Sequence, residues 1–406
     1  MNLKSINKII VISIAITLNL SIYQQTNAQT QQTVGQLSGR VNTITSAVPF
    51  LMITPDSRAG GMGDMGVASS PDANSQHWNA AKYSFIKDDF GVAISYTPWL
   101  RELVPDISIS YLTGYKKFKK GKAFGASLRY FSLGNILFTD KSGAPIKDFN
   151  PNEFALDASY SMLLGDHISG ALSLRYIYSN LTGGISSSNS TSHPGNSVAA
   201  DIAMFYTKNI TLGGKPSNMS YGLQISNIGS KMNYSDDALS NFLPTNLRLG
   251  GTLLYNIDDY NSIMFGTDLN KLLVPTPPVY NAAGDTIIAG KDPNVSPISG
   301  IWQSFHDAPG GATEEFREIT WSLGTEYWYD KKFGLRTGYF YEHATKGNRK
   351  FFTVGIGLKL NVFQMDFAYL IPTQQNNPLA NTLRFSLLFD FKGLKAESKT
   401  TKETKE

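Results

Sequence analysis

Three glycines carry the most chemically suggestive spacing in the chain. Gly61, Gly63 and Gly66 form a G-x-G-x-x-G, with Asp88 and Asp89 a little over twenty residues on. Such a loop cradles phosphate when it links a strand to a helix in a parallel βαβ unit. The five histidines are His77, His167, His193, His306 and His343, and none stands in an H-E-x-x-H pattern. No G-x-S-x-G exists, and the chain has no cysteine, which excludes disulfides, thiolate metal sites and a thiol nucleophile. A lipid hydrolase needs a serine and a histidine brought together; His343, at the end of a strand-like run, is the one modest candidate. Asp236-Asp237 and Asp258-Asp259 lack EF-hand spacing and read as loop charges. The sequence therefore predicts no enzyme, no metal site and no cofactor.

A phosphate loop also requires a helix, and the residues after the glycines do not supply one. From Asp89 onward the hydrophobic period is 2, not 3.6. Leu172, Leu174, Tyr176 and Tyr178 alternate with Ser173, Arg175 and Ser179; Phe352, Val354, Ile356, Leu358 and Leu360 alternate with Thr353, Gly355, Gly357 and Lys359. Successive strand side chains point to opposite faces, so each segment has one apolar and one polar face. Fourteen such segments fall at 89–97, 106–116, 122–132, 154–164, 168–179, 196–208, 218–227, 246–256, 260–270, 317–329, 333–343, 350–360, 363–370 and 382–391. Most have the length that crosses a bilayer at a tilt.

The connections alternate too. Those after even-numbered segments are short, apart from a moderate one at 209–217, and those after odd-numbered segments are mostly long. Short periplasmic turns with long external loops mark an outer-membrane barrel. The fold class expected is all-β: a fourteen-stranded antiparallel outer-membrane β-barrel covering 89–391. A soluble sandwich also alternates, but its solvent face rarely carries so much Gly, Ala and Ser with one charge per strand.

The polar faces carry Arg129, Asp157, Arg175, Asp201, Gln224, Arg248, Asp268, Glu326, Arg336, Lys359, Asp366 and Arg384 on successive strands. Each Arg or Lys turned to lipid would cost about 2–4 kcal/mol at the midplane, so these faces must point into the lumen. Neighbouring strands lie about 4.8 Å apart, close enough for a ladder of ion pairs. Tyrosines near strand ends, among them Tyr96, Tyr111, Tyr176, Tyr329 and Tyr369, suit an interfacial girdle.

Composition agrees. Charged residues are 17% and aromatic residues 12%, a combination that fits lipid-facing β structure. Residues 1–28 read as a secretory signal, with Lys4 and Lys8 before an apolar run and a small-residue cleavage site at Ala28. Without them the chain has 34 basic residues (36 less two) against 32 acidic, which gives no basis for nucleic-acid binding. Residues 29–88 are expected to form an N-terminal segment that plugs the lumen. Its glycines, Gly61, Gly63 and Gly66, would allow close backbone packing, and Arg58, Asp64 and Asp72 would meet lumen charges; Asn79 closes the motif.

The longest insertion is 271–316. It opens on an apolar, proline-rich run with Leu272, Val274 and Pro275, and closes with Ile301, Trp302 and Phe305 in an amphipathic helical spacing. Loops this long are usually functional or disordered. These six residues are the candidate cargo- or partner-binding set; the competing expectation is that they pack back over the barrel mouth. Residues 392–406 read as a disordered periplasmic tail.

Arg58-Ala59-Gly60, Met62-Gly63, Gly66-Val67-Ala68, Asp72-Ala73 and Asn79-Ala80-Ala81 resemble the N-terminal signature of FadL-like outer-membrane transporters, which have fourteen strands and an N-terminal hatch. Asn-Ala-Ala stands where those proteins usually have Asn-Pro-Ala. The run from Asp268 to Pro278, Gly300 to Gly311, Glu326-Tyr327-Trp328-Tyr329 and Gly338 to Glu342 resemble more specifically the PorV proteins of type IX secretion. That resemblance spans essentially the chain after its signal. It implies an outer-membrane component that recognises the C-terminal signal domains of secreted proteins at an SprA-type translocon. It further implies delivery to a PorU sortase-like attachment complex, which joins cargo to lipopolysaccharide, with the external loops as the contact surface. The alternative implied by ordinary FadL relatives is a channel for hydrophobic small molecules.

Overall fold

The structure is a computed structural model that describes residues 41–101, 104–139, 142–184, 192–235, 240–375 and 377–391. The expected signal segment 1–28, the polar stretch 29–40 and the tail 392–406 lie outside the described residues.

Fourteen strands close into one barrel: β1 (Phe90–Pro98), β2 (Ser108–Lys119), β3 (Lys122–Ser132), β4 (Asn152–Leu163), β5 (Ile168–Asn180), β6 (Gly195–Leu212), β7 (Lys215–Gly229), β8 (Asn246–Asn256), β9 (Asn261–Leu272), β10 (Thr320–Tyr329), β11 (Phe333–Tyr341), β12 (Lys350–Leu360), β13 (Phe363–Pro372) and β14 (Leu383–Phe391). Each strand pairs antiparallel with its neighbours in sequence, and β14 closes on β1 with Ile94 opposite Leu387. Closure leaves no edge with unpaired N–H and C=O groups, which a wall facing hydrocarbon requires. Among the described residues no helix is long and apolar enough to cross a membrane.

The period-2 pattern sorts side chains as expected. Leu172, Leu174, Val198, Phe265, Leu323 and Ile356 are exposed on the outside, whereas Asp157, Arg175, Asp268, Glu326 and Arg336 are buried inside. Two expectations need correction. Tyr111 belongs to the inner face of β2, buried against the Arg129 guanidinium at 5.4 Å, not to an outer girdle. Lys359 lies half-exposed near the short-turn end, 3.7 Å from Asp390, and takes no part in the central ion-pair ladder. The strands β6 and β7 are also longer than their alternation suggested. The supposed moderate connection between them is a hairpin turned by Gly213 and Gly214 alone, at φ 56° and 77°. A Gly-Gly pair is a two-residue hairpin signal, because both positions accept positive φ.

The interior is filled by residues 47–86, mostly buried, folded as short turns: 3₁₀ turns at Pro49–Met52 and Ala80–Phe85, and single α-turns at Ser57–Gly60 and Ser75–Trp78. Val48, Phe50 and Leu51 pack on Ile109, Phe131 and Ile177 of the wall. Further along, Ala73, Ala80, Ala81 and Tyr83 pack on Ala123, Ala171 and Phe205. Small wall residues leave room for this segment, so the core lies between it and the inner faces of the strands.

Long connections gather at one end of the barrel. The longest, between β9 and β10, carries a small hairpin (Val279–Tyr280 with Ile287–Ala289) and two short helices, Pro297–Gln303 and Ala312–Arg317. The hairpin lies in a short stretch without the period-2 alternation that marks the barrel strands.

Candidate functional site

The glycine stretch is held by packing and backbone hydrogen bonds. Gly63 has φ 69°, and a β-carbon there would sit 2.7 Å from the Tyr339 nitrogen and 2.9 Å from the Leu323 oxygen. A β-carbon on Gly66 would lie 2.3 Å from the Trp78 ring; one on Gly61 would lie 3.2 Å from Gly355 Cα. Gly61 and Gly63 thus meet backbone and Gly66 an indole ring, with no space for side chains. The N–H groups of Gly66 and Val67, which would face phosphate in a dinucleotide fold, both donate to Asp268 Oδ2 of β9, at 2.7 and 2.9 Å. A carboxylate supplied by the wall occupies the place of a phosphate.

Arginines fix the segment to the wall. Arg58 donates from all five N–H positions: Nε and Nη2 bidentately to Glu326 at 2.9 and 2.7 Å, and the rest to Asp72, Ser70 O and Ser70 Oγ. Glu326 on β10 also accepts from Arg336 Nε, directly opposite on β11. Arg336 Nη1 reaches across β12 to Asp366 on β13 at 2.7 Å. That crossing requires Gly357, where a β-carbon would stand 2.8 Å from Arg336 Nη2. Asp64 (φ 60°) accepts from Arg384 at 2.9 Å, and Asn79 donates to Val67 O and Met204 O. On the other side of the barrel Arg175 is clamped between Asp157 and Asp201. Next to Asp201 the β6–β7 ladder carries a bulge, with Asn227 at φ 61° donating its N–H to Asp201.

The segment's own groups feel this burial. Asp56 caps the Ser57–Gly60 turn through Ala59 N and accepts from Trp78 Nε1 at 2.6 Å; burial and the Asp72 charge push its carboxyl up to about 6. Burial lowers Lys82, which donates to Gly66 O and Ser69 Oγ, to about 8. His77 stacks edgewise on Trp78; burial and then Arg129 hold it well below its usual value. Among the described residues the His343 ring hydrogen-bonds within its own turn, through Thr345 Oγ1 and N.

A second charged network sits at the long-loop rim. Lys346 Nζ donates to Glu314 and Glu318 at 2.6 and 2.9 Å, and Lys271 Nζ to Glu318 and Glu315 at 2.6 and 2.9 Å. Thr276 Oγ1 adds a bond to Glu318, and Glu315 accepts from the N–H groups of Asp307 and Ala308. Burial pushes the Glu314 carboxyl up, but Lys346 and the Gly310 N–H outweigh it and hold it below its usual value. Asp307 accepts from Thr276 N; burial and the nearby Glu315 and Glu318 raise it to about 6. The N-terminal segment joins this network, since Asn42 donates to Glu314, Pro277 O and Thr345 O. At its other end Ile86 O accepts from Lys117, near the short-turn end of β2. The segment therefore threads the lumen from rim to base, a path that its composition did not reveal.

The six loop residues separate into two groups. Val274 (2% exposed) and Pro275 are buried, and Leu272 is half-buried. Gly300 of the Pro297–Gln303 helix comes down on Pro275 and Phe242, where a β-carbon would lie 3.2 and 2.7 Å away. Val274 and Pro275 are thus a floor under the loop and offer no outer surface here. Ile301 is half-buried, Trp302 is 70% exposed and Phe305 is exposed. The structure adds two residues that the sequence reading missed: Ile298, one turn before Trp302, and Phe316, 73% exposed on the second helix. Among the described residues no group of three or more His, Asp or Glu side chains is arranged to hold a metal.

The family model described as "Type IX secretion system protein PorV" matches residues 36–279. No curated protein matches the chain. Among solved structures, the chain is similar to the CymD monoaromatic hydrocarbon channel, at 13% identity and TM-score 0.46 over 84% of this chain and 98% of that one. It is also similar to the Ralstonia pickettii toluene transporter TbuX (10%, 0.44, 84% and 98%) and to a Pseudomonas aeruginosa FadL homologue (11%, 0.42, 84% and 99%).

Proposed function

The chain belongs to the PorV family of type IX secretion system proteins, an outer-membrane barrel, and from that premise we propose that it binds the C-terminal signal domains of secreted proteins. In this reading it receives cargo at an SprA-type translocon and shuttles it to a PorU sortase-like complex, which attaches it to lipopolysaccharide. The bond-making chemistry belongs to that partner. The N-terminal segment expected as a plug acts as one, with Arg58, Gly61, Gly63, Asp64, Gly66 and Asn79 holding it in the lumen.

One observation carries the reading. Ile298, Trp302, Phe305 and Phe316 are apolar and exposed on a loop clamped to the rim by buried ion pairs. Large apolar side chains held in water on a fixed frame suit a partner surface, because little ordering cost remains on binding. Tryptophan and phenylalanine provide much contact area per immobilised side chain.

The test is co-purification of secreted proteins with the tagged barrel from detergent-solubilised outer membrane. The double variant Trp302→Ala, Phe316→Ala is expected to lose them while the barrel still folds. Retention of cargo at the wild-type level removes the loop from the recognition surface. Loss of labelled fatty-acid uptake on gene deletion, with secretion intact, would replace this reading by the hydrophobic-solute channel.

A further inference from the structure

Between the N-terminal segment and the wall, below the rim, lies a cavity of about 430 Å³. Such a volume is within the range of small-ligand sites. Its floor holds Trp78 and Arg248, its wall Asn246, Asn270 and Leu272, and its mouth Thr43, Thr45 and Arg349. The carboxylates along it already have cations: Asp64 has Arg384, Glu318 has Lys271 and Lys346, and Glu342 has Arg349. Arg248 differs. It is 6% exposed, and among the described residues no carboxylate oxygen lies within ion-pair distance of it. Asp268, Asp64 and Asp201 act on it only from further off. Its hydrogen bonds go to amide oxygens, Nε to Asn270 Oδ1 at 2.7 Å and Nη1 to Gln224 Oε1 at 3.5 Å, and its guanidinium stacks on Trp78 at 4.6 Å. Two residues before it on the same face of β8, Asn246 is 1% exposed and its Oδ1 has no hydrogen-bond partner. Asn246 Nδ2 points to the same Asn270 Oδ1 at 3.4 Å, so the two heads converge.

A buried guanidinium with an unpaired edge suits a planar anion, and a neighbouring buried acceptor suits an N–H or O–H. We infer that this cavity binds a carboxylate flanked by a hydrogen-bond donor, with the carboxylate on Arg248 and the donor on Asn246 Oδ1. An N-acylated peptide terminus and a free 2-hydroxy acid share that chemistry. The site is separate from the exposed loop residues, so this inference and the cargo reading can fail independently.

The absence of native cysteine allows a direct test. Thr45 is exposed at the mouth, off the strands, and Thr45→Cys gives one reactive thiol. Its modification rate is measured on the purified full-length barrel with an N-acetylated tripeptide acid, the same tripeptide amide, 2-hydroxyhexanoate or hexanoate. We expect at least fivefold protection by the tripeptide acid, by 2-hydroxyhexanoate or by both, and little by the amide or hexanoate. The pattern of protection tells a peptide terminus from a small acid. Adding Arg248→Gln should abolish protection, and adding Asn246→Ala should bring 2-hydroxyhexanoate down to hexanoate. Equal protection by acid and amide, no protection by any probe, or protection that survives Arg248→Gln overturns the inference. Should Arg248→Gln not form a folded barrel, the acid-against-amide comparison in Thr45→Cys alone decides it.

Discussion

In the lumen the buried cations that tie the N-terminal segment to the wall are arginines; at the rim the cations that tie the long loop down are lysines. Arg58 meets Glu326 as a planar fork, with every N–H used. Such a pair fixes direction as well as distance. Lys346 and Lys271 instead share three glutamates as point charges on flexible stems. An ammonium is a compact point charge with no preferred plane, so the rim network fixes the loop by position rather than by direction. The difference suits the two regions: a segment enclosed by the barrel, and a loop at its rim that, in the proposed function, meets a partner.

The sharpest way to break this comparison is Arg58→Ala. It leaves buried Glu326 and partly buried Asp72 with too few cations, and breaking a buried pair costs about 3–5 kcal/mol. The segment should become protease-sensitive and the thermal midpoint in detergent should drop steeply; a midpoint near wild type would mean that packing alone holds it. Glu318→Gln comes next. It weakens bonds to Lys271, Lys346 and Thr276, each of the charge-assisted kind worth about 1.5–3 kcal/mol when removed, less whatever the flexible lysines recover from Glu314 and Glu315. Limited proteolysis should cut within 279–295 while the barrel band is unchanged. Cuts in the N-terminal segment instead would show that rim and lumen are one unit.

A smaller effect follows from Asp307. Its folded value stands near 6 against 3.8, so the docked loop binds more protons than the released loop between those values. Docking therefore weakens as pH rises through that window and levels off above it. The cutting rate of the loop should rise from pH 4 to pH 6.5, and Asp307→Asn should flatten the profile; an unchanged slope would assign the titration to another group. Least perturbing is Val41→Cys, on an exposed residue next to Asn42. It should leave stability within about 0.5 kcal/mol of wild type. A membrane-impermeant maleimide should label it on intact cells; labelling only after lysis would reverse the threading direction of the segment.

Much of the wall was legible because a membrane strand advertises itself twice, by period and by the turn that ends it. Leu172, Leu174 and Arg175 identify their faces without any neighbour. Tyr111 misled because its place near a strand end matched a girdle, whereas its parity on β2, shared with inward Ile109 and Thr113, puts it inside. The loop was half legible. Trp302 and Phe305 stood out by type, but nothing local distinguished buried Val274 and Pro275 from them, since what comes down on Pro275 is a helix more than twenty residues away.

The sequence by itself determined the strand number, the inward and outward faces, and the sense of the glycine stretch, because alternation and residue size are local properties. Only the tertiary structure decided that Asp268 answers the glycine-loop N–H groups, that Arg336 spans β12 to Asp366, and that Arg248 bonds to amide oxygens with no carboxylate at ion-pair distance among the described residues. Those facts depend on which strands lie side by side around a closed ring and on what fills it. Partners such as Arg58 and Glu326 are 268 residues apart in sequence, so no local pattern can join them.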